Sequence, residues 1–172
     1  PAKVWESLSP AAQNTDLMIG NNLFPFVSNH PAALAFDQLR SKLLHGLTTK
    51  RWKRIAVTSP THGCGKSFVA TNLALSLARR PASRTALIDL DLRDPRIAGL
   101  MGLPDTPDLA EFLSGEQPLE SVFRRYGRTL ALGLNGVAVE MASDTLHSPD
   151  TAVALAAMVE HLDPEVVIYD MP

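Results

Sequence analysis

The sequence has almost no cysteine: Cys64 is the only one in 172 residues. A single cysteine excludes an internal disulfide and is typical of proteins from a reducing compartment. No apolar run approaches the ~20 residues that a membrane-spanning helix needs. Residues 1–30 also lack the charged-then-apolar pattern of a signal peptide. We therefore expect a cytoplasmic protein that reaches the inner membrane only through a partner or a further segment.

An excess of positive charge is absent as well. The formal net charge is −2, which argues against a basic protein that coats nucleic acid, so we expect no nucleic-acid partner. Basic residues do cluster around Trp52, at Lys50, Arg51, Lys53 and Arg54. We interpret this stretch as a solvated linker, and a patch that faces a phosphate or a partner is the alternative.

The order of apolar segments indicates an α/β fold. Strands that alternate with helices predict a mainly parallel sheet with helices on both faces, a three-layer arrangement. We expect residues 1–30 to be an irregular lead-in and residues 31–172 to form this domain. The last predicted strand is followed at once by Met171 and Pro172. We therefore expect the sequence to be part of a longer protein that is cut directly after this strand.

Apolar periodicity and turn residues place the elements. We predict strands at Arg54–Thr58, Thr85–Asp89 and Val166–Asp170. We predict helices from Pro31 to about Leu47, at Ser67–Arg80, Ile97–Met101, Asp108–Ser114 and Leu119–Tyr126, and from the N-cap Ser148 to Leu162. Residues 129–139 fit two interpretations, a hairpin that turns at Asn135-Gly136 or a single strand followed by a loop.

The run from Ser59 to Ser67 is the main functional signal, because a glycine-rich turn between a strand and a helix can hold nucleotide phosphates. Gly63 and Gly65 allow close approach of the main chain, and Lys66 can bridge the outer phosphates. Ser67 would give its hydroxyl to Mg²⁺. The predicted nucleotide-binding residues are Thr61, His62, Gly63, Cys64, Gly65, Lys66, Ser67 and Phe68. We interpret His62 and Cys64 as loop residues, although a thiol at a helix N-terminus could be redox-sensitive.

Acidic residues follow two predicted strands, where ligands bind in open parallel sheets. Asp89 and Asp91 end the second strand, and Asp170 ends the third. A carboxylate at this edge can polarise an attacking oxygen or hold a metal-bound water. We predict Lys66, Asp89 and Asp91 as catalytic residues and Ser67, Asp89 and Asp170 as magnesium ligands. Arg93 could steady phosphate, contact a subunit or form a surface salt bridge.

Three motifs carry a resemblance to a known family. Three segments resemble the three nucleotide motifs of bacterial tyrosine kinases. They are Thr58–Ser67 followed by Asn72-Leu73-Ala74, the run Ala86–Pro95 with its Asp-x-Asp-x-Arg pattern, and Val166–Pro172. Asp108–Gly115 is also similar to a stretch between the second and third motifs. The resemblance covers about residues 31–172.

This resemblance implies a P-loop NTPase fold of the type shared with chromosome-partitioning and cell-division-positioning ATPases. It implies Mg-ATP binding and autophosphorylation on tyrosines near the C-terminus in a cytoplasmic kinase domain that governs capsule or exopolysaccharide synthesis. It implies Asp89 as general base, with Asp91 and Asp170 near the metal. It also implies ATP and ADP as ligands and a membrane chain-length (co-polymerase) protein as activating partner.

Departures from the family pattern keep other functions open. Leu34, Asp37 and Arg40 stand where the family often carries a Glu-x-x-Arg-x-x-Arg assembly motif, so any homo-oligomer would use a non-standard interface. Tyr126 and Tyr169 are the only tyrosines. One alternative is a non-catalytic nucleotide-binding regulator of a polysaccharide machine. Another is a positioning or partitioning ATPase, which Thr61 disfavours because that group usually has lysine there.

Overall fold

The computed structural model describes residues 2–26 and 29–172. Six strands form one sheet in the order β1-β4-β5-β3-β6-β2. Neighbouring strands are parallel except β4 and β5, which are antiparallel. The strands are β1 (Ser9–Pro10), β2 (Arg54–Val57), β3 (Thr85–Asp89), β4 (Arg124–Tyr126), β5 (Leu130–Gly133) and β6 (Val166–Asp170).

Helices cover both faces of this sheet, as the sequence predicts. They are α1 (Ala2–Ser7), α2 (Thr15–Gly20), α3 (Pro31–Lys50), α4 (Lys66–Ala78), α5 (Ile97–Met101), α6 (Leu109–Leu113), α7 (Leu119–Val122), α8 (Ala142–His147) and α9 (Pro149–Leu162). In the described residues no helix is both long enough and apolar enough to cross a membrane.

The central strands separate two apolar cores. Every residue of β3 is buried, and side chains that alternate along a strand point to opposite faces. Leu87 and Ile168 join the core under α3, α4 and α5, whereas Ile88 and Val167 join the core under α6, α7 and α9. The α/β P-loop fold predicted from the sequence is confirmed.

Local signals set the ends of the two long surface helices. The His30 side chain accepts a hydrogen bond from the amide of Ala32, and Pro31 occupies the first turn of α3. At α9, the Ser148 hydroxyl accepts from the amide of Asp150, the predicted N-cap contact. Both helices end at a residue in the left-handed conformation, Arg51 and Asp163.

The lead-in is not irregular, which corrects one prediction. Residues 2–20 contain α1, β1 and α2, and β1 pairs with β4. Trp5 is 2% exposed, and its indole nitrogen donates to the carbonyl of Leu162 at 2.7 Å. Contacts so distant in sequence leave no local pattern, which explains the error. The proposed division at residue 30 remains a prediction.

Two smaller predictions need correction, and one open alternative is settled. The helix predicted at Leu119–Tyr126 stops at Val122, and the chain continues as β4. Of the two interpretations of residues 129–139, the single strand followed by a loop is right, because β5 ends at Gly133 and pairs with β4 rather than with a later strand. The strand predicted at Arg54–Thr58 ends at Val57, and it is an edge strand with alternating exposure.

Candidate phosphate-binding site

The glycine-rich loop joins β2 to α4 at the carboxyl edge of the sheet. Gly63 and Gly65 have φ of 75° and 82°, in the left-handed region that glycine adopts without strain. Gly65 is the N-cap of α4, and its carbonyl accepts from the amide of Val69 at 3.0 Å. The positive end of the 13-residue helix α4 therefore begins at the loop, as an anion site requires.

Lys66 points toward the acids. Its Nζ lies 2.5 Å from Asp91 Oδ2 and 3.7 Å from Asp170 Oδ1. The lysine side chain is 12% exposed, while the side chains of Asp91 and Asp170 are 7% and 0% exposed. Burial lowers the pKa of Lys66, but the hydrogen bond with Asp91 and the charge of Asp170 outweigh it, so the pKa is raised overall. Lys66 is therefore held as a cation between two carboxylates.

Ser67 and Asp170 form the second close contact of the site. The Ser67 hydroxyl donates to Asp170 Oδ2 at 2.5 Å, whereas Asp170 Oδ1 is buried and accepts no hydrogen bond from any described residue. Burial raises the pKa of Asp170, against the opposing effects of Ser67 and Lys66. A buried carboxylate oxygen without a donor is the kind of group that a cation would satisfy.

Asp89 has a different setting from the other two acids. It is 0% exposed, and its oxygens accept from three main-chain amides: Asp91 at 3.1 Å, Arg96 at 3.3 Å and Ile97 at 3.4 Å. Burial, followed by the charge of Asp170, raises the pKa of Asp89 to about 7. In this arrangement Asp89 folds the segment from Asp91 to Ile97 back over the strand end, and Asp91 is the acid that meets Lys66.

Two adjoining cavities open on the loop. A cavity of about 190 Å³ lies along the start of α4 and is lined by residues 62–68 and Leu100. A larger one, of about 450 Å³, lies between the loop and α8 and reaches Pro172. Lys66, Asp91, His62 and Asp94 line both cavities. Lys66 and Asp91 therefore lie where the two cavities meet.

The remaining predicted residues line the two cavities, and most of them make contacts of their own. Thr61 Oγ1 contacts Cys64 Sγ at 2.7 Å, and Cys64 is exposed. His62 Nε2 lies 3.1 Å from Asp94 Oδ2. Phe68 lines the smaller cavity and packs edge-on against Phe36. Arg93 is exposed at the larger cavity.

Sequence reasoning missed the residues that flank the loop from other elements. Asp94 and Arg96 line the smaller cavity and are joined by a 2.8 Å ion pair; the Arg96 hydrogen bond lowers the pKa of Asp94. Leu146 and His147 on α8 line the larger one. Asp94 lies inside the Asp-x-Asp-x-Arg-Asp run and could have been noticed, whereas α8 carries no recognisable signal.

Comparisons with known proteins agree with this geometry. A family profile described as ParA, NUBPL iron-transfer P-loop NTPase, matches residues 51–127, which hold the loop and the Asp-x-Asp segment. The tyrosine-protein kinase ptk of Acinetobacter johnsonii is 34% identical over 149 residues, which cover 84% of this chain and 20% of that protein. The BceF tyrosine kinase domain superposes with a TM-score of 0.70 at 25% identity, covering 95% of this chain and 69% of that one. The chain belongs to the bacterial tyrosine kinase family.

Other solved structures fit this assignment. The kinase domain of the Escherichia coli tyrosine kinase ETK matches with a TM-score of 0.72 at 26% identity, covering 82% of this chain and 55% of that one. The septum site-determining protein MinD of Pyrococcus horikoshii, complexed with Mg-ADP, shares the fold alone, with a TM-score of 0.58 at 17% identity over 70% of this chain and 49% of that one. The chain spans about a fifth of the length of the curated tyrosine kinases it matches.

Iron transfer, the activity in the description of the matching profile, belongs to that profile and is not assigned to this chain. The profile covers less than half of the chain. Iron–sulfur clusters are held mainly by several cysteine thiolates, and this sequence has one cysteine. Residues 2–26 and 29–172 contain no group of three or more histidine, cysteine, aspartate or glutamate side chains placed to hold a metal ion.

Proposed function

We propose that this chain is the nucleotide-binding core of an ATP-dependent protein-tyrosine kinase that regulates exopolysaccharide or capsule synthesis and export. One observation carries the proposal: Lys66 and Ser67, at the start of α4, converge with Asp91 and Asp170 at the mouth of the glycine-rich loop. These groups supply the cation, hydroxyl and carboxylates that phosphoryl transfer requires. Membership of the kinase family supports the choice of a protein hydroxyl as acceptor.

The donor set suits a magnesium nucleotide. Ser67 and Asp170 offer hard oxygen atoms, and Asp170 Oδ1 has no hydrogen-bond donor among the described residues. When bound, Mg²⁺ would neutralise charge on the phosphate oxygens. The crystallisation of MinD with Mg-ADP supports the same ligand for this fold. We therefore assign ATP and Mg²⁺ to the site, with Ser67 and Asp170 as the residues nearest the metal.

Lys66 and Asp91 would act together. In the structure the Lys66 ammonium is neutralised by Asp91. Bound phosphates would attract Lys66 toward the loop and leave Asp91 beside the transferring group, where a carboxylate oxygen can accept a hydrogen bond from the incoming hydroxyl. Asp89 would support this step by holding the main chain of residues 91–97. We therefore place Asp91 closer to the reaction than Asp89, which the family resemblance favours as base.

The acceptor hydroxyl would come from elsewhere. Tyr126 is 8% exposed, with its hydroxyl against the sulfur of Met18, and Tyr169 is half-buried in β6. Both side chains pack into the apolar cores of the folded domain. The proposed kinase therefore acts on tyrosines outside residues 2–26 and 29–172.

The proposed partners are inferred from the family and from the contacts of α3. We infer an activating membrane chain-length protein from the family alone. Self-assembly through α3 would differ from the family pattern, because Asp37 binds Arg79 and Ser76 and Arg40 donates to the carbonyl of Ser76. Both charged side chains are therefore engaged within the chain. Leu34, 49% exposed, remains for an apolar contact.

The test is incorporation of phosphate from labelled Mg-ATP into tyrosines of a synthetic Glu-Tyr copolymer. Lys66→Met should lower the rate about a hundredfold or more, the loss typical of removing one group that stabilises transition-state charge. Lys42→Met, which removes an exposed lysine of α3, should have no effect. The double variant Lys66→Met/Asp91→Asn separates loss of chemistry from loss of folding, because it also removes the acid left unpaired.

Two results would assign another function. ATP binding without phosphotyrosine or phosphate release would identify a nucleotide-sensing regulator. Phosphate release stimulated by DNA or membranes, without phosphotyrosine, would identify a positioning ATPase. Unchanged ATP affinity of Lys66→Met by calorimetry would contradict the site itself.

A further inference from the structure

Positive charge collects at the end of the sheet opposite the glycine-rich loop. Four connections meet there, residues 50–54, 80–84, 127–129 and 163–165, which we call the basic end. It contains seven of the 16 lysines and arginines of the chain but two of the 18 acids. The basic end therefore has a formal charge of +5 in a chain whose net charge is −2.

Main-chain hydrogen bonds fix these connections to one another. The carbonyl of Lys53 accepts from Val167 at 2.7 Å, that of Arg84 from Glu165 at 2.8 Å, and that of Thr129 from Thr85 at 2.8 Å. The positive side chains therefore project from a rigid platform at the amino ends of β2, β3, β5 and β6.

Several of these charges have no internal partner. Lys53 pairs with Asp163 at 3.1 Å, and Arg80 pairs with Glu165 at 3.2 Å. Both acids of the basic end are thus already used. Within residues 2–26 and 29–172, Lys50, Arg51 and Arg128 form no ion pair, and all three are exposed. This surplus is available to an external anion.

An exposed aromatic side chain stands among these cations. Trp52 is 65% exposed, whereas Trp5 is 2% exposed. Trp52 follows the left-handed C-cap Arg51 and precedes β2, so it lies at the rim of the basic end. An exposed indole beside lysine and arginine is favourable where a lipid headgroup region meets water, because the ring is apolar and its N–H is polar.

We propose that the basic end docks on an anionic phospholipid surface, with Trp52 entering the headgroup region. A flat surface would meet the basic end alone. The rest of the chain, with a formal charge of −7, would stay in solvent, where charges more than about 10 Å away are largely screened at 0.1 M salt. A long polyanion that wraps around the protein would also meet this acidic remainder. Docking would leave the glycine-rich loop facing away from the membrane, open to nucleotide.

The experiment measures binding of the protein to lipid vesicles at about 0.1 M salt, where charges more than about 10 Å from the surface are largely screened. Vesicles of phosphatidylcholine alone are compared with vesicles containing roughly 30% phosphatidylglycerol, by co-sedimentation and by tryptophan fluorescence. We expect binding and a blue shift with the anionic vesicles only, and loss of both as salt is raised. Because Trp5 is buried, the shift reports on Trp52.

Matched variants locate the contact. Lys50→Gln should lower the partition coefficient about fivefold, and Lys42→Gln, at an exposed position of the same helix about 12 Å from its end, should leave it unchanged. Trp52→Ala should weaken binding and abolish the blue shift. Calorimetric ATP binding checks that the variants are folded. The proposal is overturned by absence of binding, by equal binding to both vesicle types, by equal effects of the two lysine variants, or by tighter binding to single-stranded DNA with the same Trp52 shift.

Discussion

Replacing Lys66 by methionine should destabilise the protein in the absence of any nucleotide. The change removes the cation that lies 2.5 Å from Asp91 and 3.7 Å from Asp170, and both acids are at least nine-tenths buried. Removing one member of a buried ion pair typically costs 3–5 kcal/mol, because the other charge is left without a partner. Lys66 is 12% exposed, so water can partly compensate, and we expect a loss of about 3 kcal/mol.

A double-mutant cycle tests whether the acids cause this loss. In Lys66→Met/Asp91→Asn the nearest unpaired charge is gone, while Asp170 keeps its hydrogen bond from Ser67. We expect the double variant to be about 1–2 kcal/mol more stable than Lys66→Met alone. Urea denaturation without Mg²⁺ gives these values, with Lys42→Met as a control expected to stay within about 0.5 kcal/mol of the parent. A Lys66→Met variant as stable as the parent, or a double variant that shows the sum of two losses, would refute the reasoning.

Two further predictions concern the other acids. Because burial and the charge of Asp170 raise the pKa of Asp89 from 3.8 to about 7, the folded protein keeps a proton that the unfolded chain loses. The contribution of Asp89 to stability without Mg²⁺ should therefore fall by roughly 4 kcal/mol as the pH rises from about 4 to about 7, and then level off. Urea denaturation of Asp89→Asn should give a shallower slope, which keeps only the contributions of other groups such as Asp170, whose pKa is also raised by burial. An equal slope in both proteins would contradict the assignment. In Asp170→Asn, the factor by which Mg²⁺ raises ATP affinity in calorimetry should be about ten times smaller than in the parent. Asp150→Asn, at an exposed position of α9, should leave this factor unchanged.

Elements with a complete local signal could be predicted from the sequence. The strands Thr85–Asp89 and Val166–Asp170 and the short helix Ile97–Met101 have the predicted bounds. Each strand is a continuous apolar run because it is buried on both faces, and Gly102 ends the helix in the left-handed conformation. The order of these elements is sufficient to identify the fold class.

Elements stabilised by distant contacts could not be predicted. Trp5 and Leu8 are buried, but together with Val4 they are too few in residues 1–10 to define a helix or strand period. Strand β4 has three residues, Arg124–Tyr126, and two of them are arginines. It exists because it pairs with β1 on one side and β5 on the other. Such pairing is decided by the tertiary structure rather than by propensity.

Some features of the candidate site could likewise be predicted from the sequence, and others could not. The loop residues and the three acids could be named from sequence, because parallel strands bring their carboxyl ends to one edge. Which acid faces the lysine could not be predicted. Asp89 and Asp91 share one short motif, and their roles differ only because the amides of Arg96 and Ile97 fold back onto Asp89. The segment at Arg96 and Ile97, seven and eight residues after Asp89, therefore decides which acid contacts Lys66.

The site is organised around an ion pair, Lys66 with Asp91, that a nucleotide would replace. Three acids lie at one edge of the sheet, and without a cation their mutual repulsion would oppose folding. Lys66 supplies that cation through Asp91 and Asp170. If phosphates draw Lys66 away, the acids require a new positive charge, and Mg²⁺ entering with the nucleotide would provide it. Nucleotide without Mg²⁺ should therefore bind weakly, because it would take the lysine and leave the acids uncompensated.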